Sequence, residues 1–149
     1  MMKLESRNAK LDGSPALVPA SRIRDFTDLQ VWQLARELRK QVYVLTRGLP
    51  ADEKYALAQQ SRRAATSVTA NIAEGFGHYS FQENIQFCRQ ARGSAYEIRD
   101  HLITALDQGY IGPEAHASID QLAQRVIQTL NGYIRSTQLR QKASSQSKH

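Results

Sequence analysis

Asn71-Ile72-Ala73-Glu74-Gly75-Phe76-Gly77, followed at once by Ser80-Phe81-Gln82-Glu83, is the stretch on which the reading of this chain turns. Upstream of it, Ala58, Ser61, Ala65, Val68 and Ile72 recur at helical spacing. Downstream, Phe81, Ile85, Cys88, Ala91, Ala95, Ile98, Leu102 and Ala105 do the same. Two glycines between two helical patterns read as a structural turn, with Gly75 or Gly77 adopting a positive φ and Asn71 and Glu74 satisfying nearby amides. Ser80 with Glu83 is a capping-box signal that starts the next helix.

Working outward, the same periodicity gives two more helices. Phe26-Thr27-Asp28-Leu29-Gln30-Val31 offers Thr27 and Gln30 as a capping box and Phe26 against Val31 as a staple, and the buried stripe continues through Ala35, Leu38, Val42 and Leu45 to a left-handed stop at Gly48. The second helix is expected to start near Asp52, and its mostly small stripe lets a neighbour approach closely. The third is expected to end at Gly109. Gly112-Pro113-Glu114 then opens a fourth, with proline at the first helical position and an acid in the first turn. Short links make successive helices antiparallel neighbours. The expected fold is therefore all-α, an antiparallel up-down-up-down four-helix bundle over residues 26–138, flanked by disordered basic tails at 1–25 and 139–149.

Charge supports this division. The chain of 149 residues carries a net charge of +6. Lys3, Arg7, Lys10, Arg22 and Arg24 outweigh Glu5 and Asp12 at one end, and Arg140, Lys142 and Lys148 are unopposed at the other. The segment 25–138 between them is neutral overall, so its surface must be judged by where its charges lie. No apolar run is long enough to span a bilayer, and the N-terminus lacks the apolar centre of a secretory signal. No membrane association and a cytoplasmic location are the expectation. The single cysteine, Cys88, excludes an intramolecular disulfide and falls on a buried stripe.

With the helices placed, the chain resembles a bacterial family, the four helix bundle proteins or intervening-sequence proteins of large-subunit ribosomal RNA genes. Ser67-Val68-Thr69-Ala70-Asn71-Ile72-Ala73-Glu74-Gly75-Phe76-Gly77, Gly93-Ser94-Ala95-Tyr96-Glu97-Ile98 and Asp107-Gln108-Gly109-Tyr110-Ile111 carry the resemblance. The opening Phe26 to Ala35 is similar to the family's first helix. The resemblance implies a four-helix bundle that forms ring-like homopentamers. Related accessory proteins of diversity-generating retroelements bind nucleic acid beside a reverse transcriptase, which implies RNA, DNA or such a protein as a partner. His78 stands where the family usually has Arg, and Thr69 where Pro is common.

Two surfaces are candidates for function. On the first helix, Arg36, Lys40, Tyr43 and Arg47 share a face opposite the buried stripe, with Trp32 and Arg39 alongside. Cations for phosphate and rings for bases suit RNA or single-stranded DNA. The competing reading buries Trp32 and Tyr43 against another subunit. On the third helix, Ile85, Arg89, Arg92, Tyr96 and Arg99 mix charge with apolar surface, which favours a homo-oligomer interface. A protein-interaction scaffold without nucleic-acid binding is the alternative function.

Catalysis is not expected. No Glu is followed three residues later by His, as a di-iron bundle requires, and no Arg has His five to seven residues beyond it, as a HEPN-type ribonuclease requires. Glu97 and His101 lie one turn apart without further partners. No catalytic residue, metal site or cofactor is assigned.

Overall fold

The computed structural model describes residues 22–147. The expected N-terminal tail therefore lies almost wholly outside the described residues. Four helices follow one another: α1 Gln30–Arg47, α2 Leu57–Gly77, α3 Phe81–Asp107 and α4 Pro113–Gln146. Short 3-10 turns at Phe26–Asp28 and Ala51–Glu53 precede α1 and α2, and no strand occurs among the described residues. Each helix packs against the next, and α4 closes the cycle against α1. This is the antiparallel four-helix bundle that the periodicity predicts.

Leu38, Val68, Cys88, Ala91, Ala95, Ala123, Val126 and Leu130 are fully buried in one core drawn from all four helices. Closest packing falls between α2 and α3, where Ala64 and Ala65 meet a helix that buries Ala91 and Ala95. Side chains this small let the backbones approach, and their gain is dispersion over many short contacts.

The Asn71 to Gly77 stretch differs from its expected role. It is the last part of α2, and the chain turns at His78-Tyr79-Ser80 instead. Neither Gly75 nor Gly77 has positive φ; Gly109, at 74°, is the one described residue that does. Gly75 is needed for space. A Cβ there would stand 2.9 Å from both Asn84 Oδ1 and Phe87 Cβ of α3. Asn71 donates to Ser67 O at 2.8 Å and Ser67 Oγ at 3.0 Å along its own helix, and Glu74 is exposed on it. These residues seat α2 on α3 and do not build the turn.

Other boundaries shift for identifiable reasons. Before α1, Asp28 Oδ2 accepts from the amides of Arg24 and Asp25, so these acids cap the 3-10 turn and α1 begins after it with Leu29 at its N-cap. Phe26 packs edge-to-face on Trp32, with ring centroids 5.3 Å apart. Gly48 ends α1 at φ −87°, without a left-handed residue. Ser80 Oγ accepts from the Glu83 amide and starts α3 as expected, and Gly112 with Pro113 starts α4 as expected. The fourth helix continues to Gln146, past the boundary at 138, so residues 139–146 are helical rather than a disordered tail. Arg, Gln, Lys and Ala are strong helix formers, and nothing in that run breaks the helix.

Candidate functional site

The edge where α1 meets α2 is built by side chains that cross between them. Arg39 Nη1 donates to Thr69 Oγ1 at 2.9 Å. Two turns on, Arg62 Nε donates to Thr46 Oγ1 at 2.8 Å, and Thr46 Oγ1 donates to the Tyr43 carbonyl at 3.0 Å. The Arg62 guanidinium lies 5.0 Å from the centre of the Tyr43 ring. This cation–π contact and the hydrogen bond together hold Arg62 in place.

Above this seam runs an open groove lined by Arg39, Lys40, Tyr43, Val44, Arg47 and Thr66, with no carboxylate in its wall. Thus Arg39, Lys40, Tyr43 and Arg47 come together, as α1's periodicity predicts. Arg36 is exposed further toward the helix start, 5.7 Å from the Trp32 ring centre. Arg62 and Thr66 were not anticipated; an antiparallel α1–α2 register places them beside Tyr43, a relation that single-helix periodicity does not contain. Arg39 and Arg47, a lysine and a tyrosine in one groove can engage phosphate and a planar ring together.

The α3 surface is less available than expected. Ile85 is only 5% exposed and belongs to the core. Arg92 Nη1 donates to Asn131 Oδ1 at 2.8 Å. Arg99 Nε donates to Asp120 Oδ1 at 2.8 Å, while Gln124 donates to the other carboxylate oxygen at 2.7 Å. Burial pushes the Asp120 carboxyl up, but the hydrogen bonds from Arg99 and Gln124 outweigh it and hold it below the usual value. The same hydrogen bond raises Arg99. Arg92 and Arg99 therefore bind α4 of their own chain, and Trp32 covers Phe26. Of the residues assigned to an oligomer interface on α3, Arg89 and Tyr96 remain exposed.

At the α2–α3 turn, His78 Nδ1 lies 2.6 Å from Glu83 Oε2, and its ring stacks on Phe87 at 5.0 Å. His101 Nε2 is 3.9 Å from Glu97 Oε1, too far for a hydrogen bond. Cys88 is buried, its thiol pushed up to about 12 by desolvation, and Sγ donates to Asn84 Oδ1 at 3.6 Å. That environment disfavours the thiolate. Among the described residues, no group of three His, Cys, Asp or Glu side chains could hold a metal ion, and no helix is long and apolar enough to cross a membrane.

The architecture and surface together define an all-α bundle with a basic groove along one helix pair. A family model described as 23S rRNA-intervening sequence protein matches residues 27–132, and the chain belongs to that family. It is also similar to a Bacteroides thetaiotaomicron protein of unknown function from the S23 ribosomal protein family. The TM-score is 0.66 and the identity 25%, over 70% of this chain and 97% of that one. No curated protein matches the chain.

Proposed function

We propose that the chain is a self-associating bundle protein that binds RNA or single-stranded DNA through the α1–α2 groove, as an accessory factor and not as an enzyme. The observation that carries this reading is the groove itself. Lys40 and Arg47 are exposed and Arg39 and Tyr43 half-buried along a wall without an acid, and Arg62 is fixed beside Tyr43. Phosphates would lie against the cations and a base against the tyrosine. Arg36 extends the positive surface, and the basic N-terminal residues add non-specific attraction. The cytoplasm is the compartment proposed for it.

Self-association multiplies such grooves, so that a weak contact in one copy becomes a strong one in the assembly. The family resemblance supports a ring of five. A reverse transcriptase or another protein is the second class of partner that it supports.

Fluorescence anisotropy with labelled single-stranded RNA and DNA tests the binding. The expected result is binding at low salt, falling steeply with added salt and lost in Arg36→Glu/Lys40→Glu/Arg47→Glu. If the triple variant binds as the parent does, or if neither nucleic acid binds at low salt, the groove is not a nucleic-acid site and the scaffold reading replaces it.

A further inference from the structure

The back of α3 carries a second surface turned away from the bundle's core, on which the Tyr96 ring lies 5.9 Å from the Arg99 guanidinium of the same helix. Gln86, Arg89, Gly93, Tyr96, Asp100 and Ile103 are all exposed and recur at alternating steps of three and four. This is the spacing of a coiled-coil seam, turned away from the bundle's own core. Tyr96 is 52% exposed and Ile103 49%, large apolar groups to leave in water on one helix face. Gly93 sits one turn before Tyr96 in mid-helix, where a Cβ would meet nothing within 4 Å. Its own fold therefore gives no reason for glycine at this position, unlike Gly75.

The order of these residues is self-complementary. Turned end over end about a two-fold axis midway between Gly93 and Tyr96, the stripe brings Arg89 opposite Asp100, Gly93 opposite Tyr96 and Gln86 opposite Ile103. Each pair occurs twice. A parallel pairing would set Arg89 on Arg89, Asp100 on Asp100 and Tyr96 on Tyr96, which charge disfavours. We infer that α3 of one copy packs antiparallel on α3 of a second copy, with Tyr96 of each filling the hollow over Gly93 of the other and Arg89 pairing with Asp100.

This rests on the self-association reading above and names one surface for it. The contact is isologous, so it produces dimers, or joins two rings formed through other faces. It spans about 25 Å of helix, which is small for a stable interface, and association through it is concentration-dependent. The α1–α2 groove lies on other helices and stays open.

Sedimentation velocity across the micromolar range tests the contact. The expected result is a concentration-dependent doubling of mass. Arg89→Glu and Asp100→Arg each weaken it by about tenfold or more, since one change places two like-charge pairs in the contact. Gly93→Leu weakens it by filling the hollow. The double variant Arg89→Glu/Asp100→Arg restores it with the charges exchanged, which also shows that the single variants fold. Doubling that survives both single reversals, or a double variant that does not recover, overturns the α3 contact and leaves self-association standing. A monomer at every concentration overturns both.

Discussion

Arg99 and Asp120 join α3 to α4 through a hydrogen-bonded ion pair 2.8 Å long, with Asp120 sheltered and Arg99 a third exposed. The pair is also where the fold has a defined response to acid. The folded Asp120 has a lowered pKa, so its contribution is present above the unfolded carboxyl value and is lost as pH falls through the folded one. In a double-mutant cycle with Arg99→Ala and Asp120→Ala, the coupling is expected to be about 1 kcal/mol at neutral pH. It should vanish in acid below the folded pKa. A coupling that stays constant into strong acid would contradict the pairing.

Gly75 and Gly93 are expected to respond to alanine with opposite signs. At Gly75 the new Cβ collides with Asn84 and Phe87, and overpacking costs about 1–3 kcal/mol. At Gly93 nothing is met, and the gain in helix propensity stabilises the bundle by about 1 kcal/mol. Urea unfolding of both variants, each measured at a concentration where the chain is monomeric, checks the pair. Equal signs would refute the distinction between a glycine needed for packing and one that the bundle does not need.

Cys88 should be silent toward thiol reagents in the native protein at pH 8 and react fully in denaturant. Its raised pKa has a second consequence. Protection of the thiol adds stability below the ordinary cysteine value, and this is lost as pH rises from 9.0 toward about 12. Stoichiometric native labelling at pH 8, at a rate near that of a free thiol, would show that the side chain is not where the core places it.

Ser80→Ala removes the acceptor for the Glu83 amide at the start of α3 and is expected to cost about 1 kcal/mol. Thr27→Ala, at the position where the sequence suggests a cap for α1, should cost much less, because the Thr27 hydroxyl accepts no helix amide and donates to Asp25 Oδ2 at 3.1 Å instead. Thermal unfolding of the two variants separates a cap that forms from one that does not.

Local signals were legible where they had no competitor. The start of α3 at Ser80, the opening of α4 at Gly112-Pro113 and the end of α3 beside Gly109 all stand where the residues place them. Thr27 was misread because Asp25 and Asp28 cap a separate 3-10 turn at Phe26–Asp28, and α1 begins after it with Leu29 at its N-cap. The Asn71 to Gly77 stretch was misread because glycine serves two purposes. Only the neighbouring helix reveals that Gly75 answers a close approach rather than a turn. On α1 the groove residues were visible as a helix face. Arg92 and Arg99 looked free because their partners, Asn131 and Asp120, lie on another helix whose register no single-helix pattern contains. For the same reason Arg62 reads as part of a solvated face of α2 although it is held by Thr46 and Tyr43 of α1.

The unequal lengths of α1 and α4 have a kinetic consequence. At 18 and 34 residues they span about 27 and 51 Å. Thr137 is the last buried residue of α4, so roughly the final two and a half turns have backbone hydrogen bonds but no core beneath them. Amide hydrogens from Ile119, the first buried residue, to that point should exchange with solvent only when the whole bundle opens. Those after it should exchange within the ordinary fraying of a helix end. One uninterrupted helix thus carries two clocks, and the step between them marks where tertiary structure stops.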